Sequence, residues 1–424
     1  MRILYSFSIF IYTLGIRIAA SWNPKARLWI EGRKDIFRKL ENACGKFKGK
    51  TIWMHCASLG EFEQGRPLLE AIRHAYPKHT LLLTFFSPSG YEIRKNYAGA
   101  DIVFYLPADS PENAKNFIEI THPELAIFIK YEFWFHYLTA LKSKHIPTLL
   151  VSAIFRKGQP FFKPYGRFWR QMLGCYNQLF VQDKGSFELL ESAGFGANTT
   201  ISGDTRFDRV IAVANNHTDI PEITRFCGNS DVIVAGSTWL EDEELLAHYA
   251  NQHPEIKFII APHEIDEAHL LELEKLFKNA IRFSVYAPED ETQELNESYA
   301  LQNILIMDNM GMLSKLYHYA TLTYIGGGFG GAGIHNILEA VVYGKPVLFG
   351  PVNQKSREAQ DLLESGAAFT VLNALELESL LDLLLKDKEK CTRLGKIAAD
   401  YVRKESGATV KIMDYIQENR LLTK

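Results

Sequence analysis

Residues 326–340 read GGGFGGAGIHNILEA, with six glycines in eight positions ahead of a His-Asn pair. Glycine lacks a Cβ, so backbone this bare can close on an anion, and the start of a following helix offers free N–H groups at the positive end of its dipole. The chemistry this suits is the holding of a phosphate, with Gly327 and Gly328 in the turn and Glu339 placed one turn into the helix for ribose hydroxyls. Asn336 and Glu339 also have the spacing of a helix cap that needs no ligand. The glycine spacing matches neither a Walker loop nor a dinucleotide fingerprint after a first strand, which argues against those enzyme classes.

A second stretch, HCASLGEFEQG at residues 55–65, sets Ser58, Gly60 and Glu61 where a strand turns into a helix. An acid in a first helical turn can simply complement the dipole. It can also act as a general base. Transfer of a sugar with inversion needs one group to take the proton of the acceptor hydroxyl and a cradle for the phosphate that leaves. Glu61 and the 326–339 turn are candidates for those two parts.

The elements that must position them follow a βα rhythm. Short apolar runs (TIWMHCAS, TLLLTFF, IVFYLP, LAIFIK, IPTLLVSA, QLFVQ) alternate with helical stretches from residue 51, as in a parallel sheet. The pattern breaks in a polar stretch at 208–230 and resumes with DVIVAGS, KFIIAPH, IRFSVYA, NILIMD, LTYIGG and PVLFGP. The expectation is an α/β chain of the GT-B type: two Rossmann-like, doubly wound domains facing a cleft where the carboxyl ends of both sheets meet. The domains are placed at 51–215 (acceptor side) and 216–424 (nucleotide side). A helix-rich tail is long enough to cross back.

Composition narrows the class. With 47% hydrophobic and 23% charged residues, the chain is a folded globular protein and not a disordered one. Cys44, Cys56, Cys175, Cys227 and Cys391 are odd in number and far apart, which fits reduced thiols and no zinc site. Residues 1–50 hold eleven Lys or Arg against three Asp or Glu, leaving −11 for the rest of a chain whose net charge is −3. No nucleic-acid partner is expected. Within that basic segment Leu4, Phe7, Ile11, Leu14 and Ile18 recur at helical spacing. Only fourteen residues separate Arg2 from Arg17, so the expected helix lies in a membrane interface, the basic flank on its cytoplasmic side. A buried helix and a signal peptide are the alternatives.

Taken together, HCASLGE, TFFSPSG, YLPADSPENAKNFI, PELAIFIKYEFW, GDTRFD, AGST, APHE, DNMG and GIHNILEA resemble the Kdo (3-deoxy-D-manno-octulosonic acid) transferases of lipid A biosynthesis, over nearly the whole chain. The resemblance implies an inverting transferase that moves Kdo from CMP-Kdo to a lipid A precursor at the cytoplasmic face of the inner membrane, docked through residues 1–50. Glu61 would be the proton acceptor and Arg206 the cation that stabilises the transition state, with a surface ion pair to Asp208 as the alternative for Arg206. Cytidine monophosphate contacts would fall on Pro262 and His263, on Met310, Gly311 and Met312, and on Asn336, Ile337, Leu338 and Glu339. Ser58 and Gly60 would face the acceptor.

The chain also departs from the family pattern. Lys130-Tyr131-Glu132 stands where a Glu-x-Glu is usual, so a second catalytic carboxylate is missing or has moved to Glu132. Pro262-His263 replaces Arg-His, Met312 replaces a Glu, and Ile334 replaces a Gly. No cofactor and no metal are expected, since His55, His263 and His335 fall on separate loops without ligand spacing. The rival readings are a GT-B transferase or epimerase using a UDP-sugar, and a nucleotide-binding membrane protein without activity.

Overall fold

The computed structural model describes residues 1–47, 49–288, 299 and 301–422. It divides into two compact units, residues 1–209 with 406–424, and residues 210–405. The division falls inside the Thr205–Asn215 helix, and the polar stretch after it carries a second helix, Pro221–Cys227.

The first unit holds seven strands: β1 (Thr51–Cys56), β2 (Thr80–Phe85), β3 (Ile102–Tyr105), β4 (Pro123–Ile129), β5 (Thr148–Ala153), β6 (Gln178–Val181) and β7 (Thr199–Ile201). All pairings are parallel, in the order β3-β2-β1-β4-β5-β6-β7. Runs such as TLLLTF are buried along their whole length because helices cover both faces. Side chains alternate between the two layers. Trp53 enters one core with Leu82 and Phe128, while Ile52 and Met54 enter the other with Leu83 and Ile127. The Ala408–Glu418 helix belongs to this unit and sends Ile412, Met413 and Ile416 into that second core.

The second unit repeats the plan with β8 (Val232–Thr238), β9 (Lys257–Pro262), β10 (Ala280–Arg282), β11 (Ile304–Ile306), β12 (Leu322–Ile325), β13 (Val347–Phe349) and β14 (Ala368–Thr370). Its order is β10-β11-β9-β8-β12-β13-β14, again parallel. IRFSVYA, expected as a strand, is one only to Arg282; residues Phe283–Tyr286 form a helical turn. Ser284 explains the break, since its N–H and hydroxyl both go to the Asp308 carboxylate. The edge strands β7 and β14 were not expected, being three residues long and too short to show a period.

An 18-residue helix, Arg2–Ala19, opens the chain, and none of its residues is buried, which removes the buried-helix alternative. By length and composition it is enough to cross a membrane; at 1.5 Å per residue it would be about 27 Å long. Tyr5 hooks it to the first unit by donating to Asp109 at 2.6 Å, and Asp109 in turn accepts the first N–H groups of the Phe135–Ser143 helix. The five cysteines are unpaired.

Candidate functional site

In the first sheet the chain runs outward from β1 to β3 and then returns to begin β4 on the other side of β1. The loops after β1 and β4 therefore part from each other, and such a switch point is where open α/β sheets bind ligands. Glu61 lies after β1 and Glu132 after β4.

Glu132 is buried, with one carboxylate oxygen 3.0 Å from His55 Nε2 and accepting the Trp134 indole N–H. Parallel register sets His55 beside Thr84, and His55 Nδ1 stands 2.8 Å from the Thr84 hydroxyl, which accepts the Trp53 N–H at 2.8 Å. Nδ1 also lies 3.1 Å from the Thr84 carbonyl oxygen, which can only accept, while Nε2 makes no hydrogen bond despite its 3.0 Å approach to Glu132. Sequence reasoning weighed His55 only as a metal ligand. Its partners come from β2 and from the loop after β4, and spacing alone does not show them.

Glu61 is half-buried on the first turn of the Leu59–Ala75 helix. Its Oε2 accepts the Ser58 N–H at 3.0 Å and stands 3.4 Å from the Ser58 hydroxyl, so the capping role is present. Both of these contacts use Oε2. Burial pushes this carboxyl up to about 7, and the charge on Glu132 adds to the effect. The backbone N–H groups of Ser58 and Ala57 and the charge of Lys130 pull the other way. A half-buried carboxylate tuned close to neutrality is equipped to take a proton. Gly60 is exposed with open space where a Cβ would stand.

Arg206 pairs with Asp204 at 2.7 Å. The expected alternative partner, Asp208, instead accepts the N–H groups of Gly407 and Thr409. Asp204 also accepts from Gln64 at 3.2 Å, three residues beyond Glu61 on the same helix, which ties the arginine to that helix. Neither Asp204 nor Gln64 was singled out from the sequence.

In the second unit the switch point lies between β8 and β12, and the expected nucleotide residues all follow the carboxyl ends of strands. Pro262 ends β9 and His263 follows it; Met310, Gly311 and Met312 come after β11; the glycine turn comes after β12. His263 stacks on His335 at 4.4 Å and on Trp239 at 4.7 Å, and Trp239 Nε1 donates to His335 Nε2 at 3.1 Å. Burial, and then His263, push His335 below its ordinary value. Trp239, at the end of β8, was not anticipated.

The glycine turn differs from its expected form in two ways. A Cβ on Gly326 would stand 2.2 Å from the Ser237 carbonyl oxygen, and one on Gly328 would stand 2.5 Å from the Gly350 nitrogen. Gly327 has φ +87° and gives its N–H to Asp242 at 2.8 Å. Gly327 and Gly328 are buried against their own chain, so they shape the turn from within; Gly331 is exposed and open. The helix that follows is Leu338–Val341 alone, because later N–H groups close i→i+3 turns up to Gly344, and one turn carries little dipole. Asn336 accepts the Leu338 N–H at 3.2 Å and donates to Glu339 at 2.9 Å, but the N-cap position of this helix is Ile337, so the pair does not form the reciprocal capping box of the alternative.

Among the described residues, His217, Asp219 and His318 could hold a metal ion. Tyr317–Tyr319 precedes β12, which puts this group at the amino edge of the sheet, opposite the glycine turn. His263 and His335 are engaged with each other and with Trp239.

Two parallel sheets of this plan define a chain of the GT-B class. Its architecture is similar to that of a putative UDP-N-acetylglucosamine 2-epimerase from Listeria monocytogenes, with a TM-score of 0.60 and 15% identity over 89% of this chain and 98% of the other. At that identity the likeness is one of fold. The sequence likeness is narrower: residues 30–209 match the sequence model of the 3-deoxy-D-manno-octulosonic-acid transferases. The chain is 28% identical to the 3-deoxy-D-manno-octulosonic acid transferase of Aquifex aeolicus over 80% of its own length and 87% of the relative's. It is 28% identical to the enzyme of that name from Chlamydia trachomatis serovar A over 83% and 82%. The likeness to the Kdo transferases, read first from scattered motifs, thus extends along most of the chain, and the class of activity is glycosyl transfer.

Proposed function

We propose that the protein transfers Kdo, with inversion, from CMP-Kdo to a glucosamine hydroxyl of a lipid A precursor in lipopolysaccharide biosynthesis. Glu61 accepts the acceptor's proton as the new glycosidic bond forms, the bond from the anomeric carbon to phosphate breaks, and cytidine monophosphate departs with that electron pair. Glu132, neighboured by His55 and Trp134, stands close enough to Glu61 for its charge to raise that carboxyl's proton affinity. Arg206 is assigned to the donor's carboxylate or the leaving phosphate, both of which suit a guanidinium. The residues after β9, β11 and β12 hold the nucleotide. The reaction uses no metal, and the basic N-terminal segment keeps the enzyme at the cytoplasmic face of the inner membrane, where its lipid acceptor lies.

The observation that carries this reading is the Glu61 carboxyl: half-buried at the switch point beside Glu132 and pushed up to about 7. The test is an assay offering CMP-Kdo and UDP-sugars in parallel with a lipid A precursor. Kdo incorporation by the native chain and its loss in Glu61→Gln support the proposal, whereas turnover of UDP-sugars alone would refute it.

A further inference from the structure

We propose that the open cavity between the N-terminal helices and residues 107–113 is a seat for the phosphate of a membrane-lipid headgroup. The proposal rests on the reading that the N-terminal segment lies at a membrane. The cavity measures about 640 Å³ and is lined by Arg17, Arg33, Lys34 and Arg38 against Glu31 and Asp35. Asp35 engages Arg38 at 3.5 Å, while Arg17, Arg33 and Lys34 form no ion pair with any described residue.

Arg33 is the most constrained of these cations. Its guanidinium donates to the carbonyls of Leu106, Phe86 and Trp29 at 2.9, 2.8 and 3.1 Å, and lies 3.8 Å from the Trp29 ring and 4.7 Å from Tyr105. Carbonyls and ring faces offer partial charge only, and a guanidinium stays protonated even where burial lowers its proton affinity. A half-buried guanidinium without a formal counter-charge bears part of the cost of leaving water, and an anion in the cavity offsets it.

The neighbouring surface says which anion. Thr13 and Arg17 reach the cavity from the Arg2–Ala19 helix, whose Phe7, Phe10, Leu14 and Ile18 are exposed. Apolar side chains on the same helix as a last-turn arginine match the step from acyl chain to headgroup in a bilayer. The ligand is therefore a phosphate ester carried by a lipid.

The experiment measures partition of the full chain onto vesicles of phosphatidylcholine, with and without phosphatidylglycerol. Arg17→Ala/Lys34→Ala is compared with Lys25→Ala/Lys39→Ala, which removes the same charge from exposed positions off the cavity. The general electrostatic loss is common to both pairs, so the cavity pair is expected to bind the anionic vesicles at least about tenfold more weakly than the other. Inorganic phosphate should displace the native chain where chloride of equal ionic strength does not. Equal weakening by the two pairs, or equal displacement by the two salts, overturns the proposal. A native chain that binds both vesicle types alike, with no difference between the pairs, keeps the membrane reading and also overturns the cavity. A chain that ignores vesicles, while inorganic phosphate still shifts an emission abolished by Trp29→Phe, has a soluble-phosphate site; that result overturns the lipid source together with the membrane reading.

Discussion

At the switch point of the first sheet a buried glutamate and a buried histidine stand near a half-buried glutamate, whereas at that of the second a tryptophan, two histidines and bare glycine backbone occupy the equivalent place. The first is a device for moving a proton, because charges that share a low-dielectric space shift each other's affinity for it. The second is a device of fit, where close-packed backbone leaves no room for a Cβ and stacked rings hold one another in place. Substitutions should therefore separate cleanly: chemistry should suffer at the first centre, and stability or ligand affinity at the second.

The largest expected effect breaks the comparison on its chemical side. Glu61→Gln keeps the size and the contact with Ser58 but cannot accept a proton, so kcat should fall by about 10²–10⁴. Nucleotide affinity, measured by calorimetry, should stay within about twofold. The native rate should rise about tenfold per pH unit below the carboxyl's value of about 7 and level off above it. A rate that is flat from pH 5 to pH 8, or a variant with native kcat, would remove Glu61 from the chemistry.

The same carboxyl makes a prediction about stability. Its folded value is raised from 4.5 to about 7, so between those limits the unfolded chain has given up a proton that the folded chain still holds. Stability therefore falls as pH rises through that window, and the loss is complete above it. Glu61→Gln abolishes the penalty and should be more stable than the native chain at pH 8, by about 2–3 kcal/mol in urea denaturation, with the gain vanishing near pH 4. A variant that is less stable at both pH values would show the cap to Ser58 outweighing the buried charge.

On the side of fit, Gly328→Ala drives a methyl to within 2.5 Å of the Gly350 nitrogen and should destabilise the second unit by about 1–3 kcal/mol. Gly331→Ala, in open space, should change stability by less than about 0.5 kcal/mol. If a nucleotide phosphate rests on the exposed part of the turn, Gly331→Ala weakens nucleotide binding without that loss of stability. Thermal unfolding and nucleotide titration of both variants distinguish the two jobs that one glycine run was expected to share.

Which parts of these centres the sequence reveals depends on the range of the interaction. A strand running into a helix at residues 55–65 is a local pattern, and it led directly to Glu61. The environment that tunes Glu61 is assembled from β2 and the loop after β4, whose adjacency to β1 is a matter of strand order. The exchange of Asp208 for Asp204 beside Arg206 has the same origin, because Asp208 is taken by backbone 199 residues further along the chain. The glycine run was legible as a place of close approach, but what approaches Gly326 and Gly328 is the chain's own backbone at Ser237 and Gly350. The expected helix after it shrinks to a single turn, since β-branched Val341 and Val342 lead into a chain reversal at Gly344, with φ +68°.

The smallest expected effect concerns Trp239, and it sharpens what fit means at the second centre. An indole can only donate, so the 3.1 Å bond to His335 Nε2 requires that nitrogen to be unprotonated and places the imidazole proton on Nδ1. Trp239→Phe preserves a ring to stack on His263 but removes the donor. The neutral form then loses the support of that donor while burial and His263 still hold the value down, so the value of His335 should rise by only a few tenths of a unit. Nuclear magnetic resonance titration of the His335 ring protons measures that shift. Donor KM should rise only a few-fold with kcat unchanged, because a misplaced binding group weakens ground state and transition state alike. A fall in kcat with KM constant would instead assign the Trp239–His335 pair to the chemistry, and the division between a proton-moving centre and a centre of fit would no longer hold.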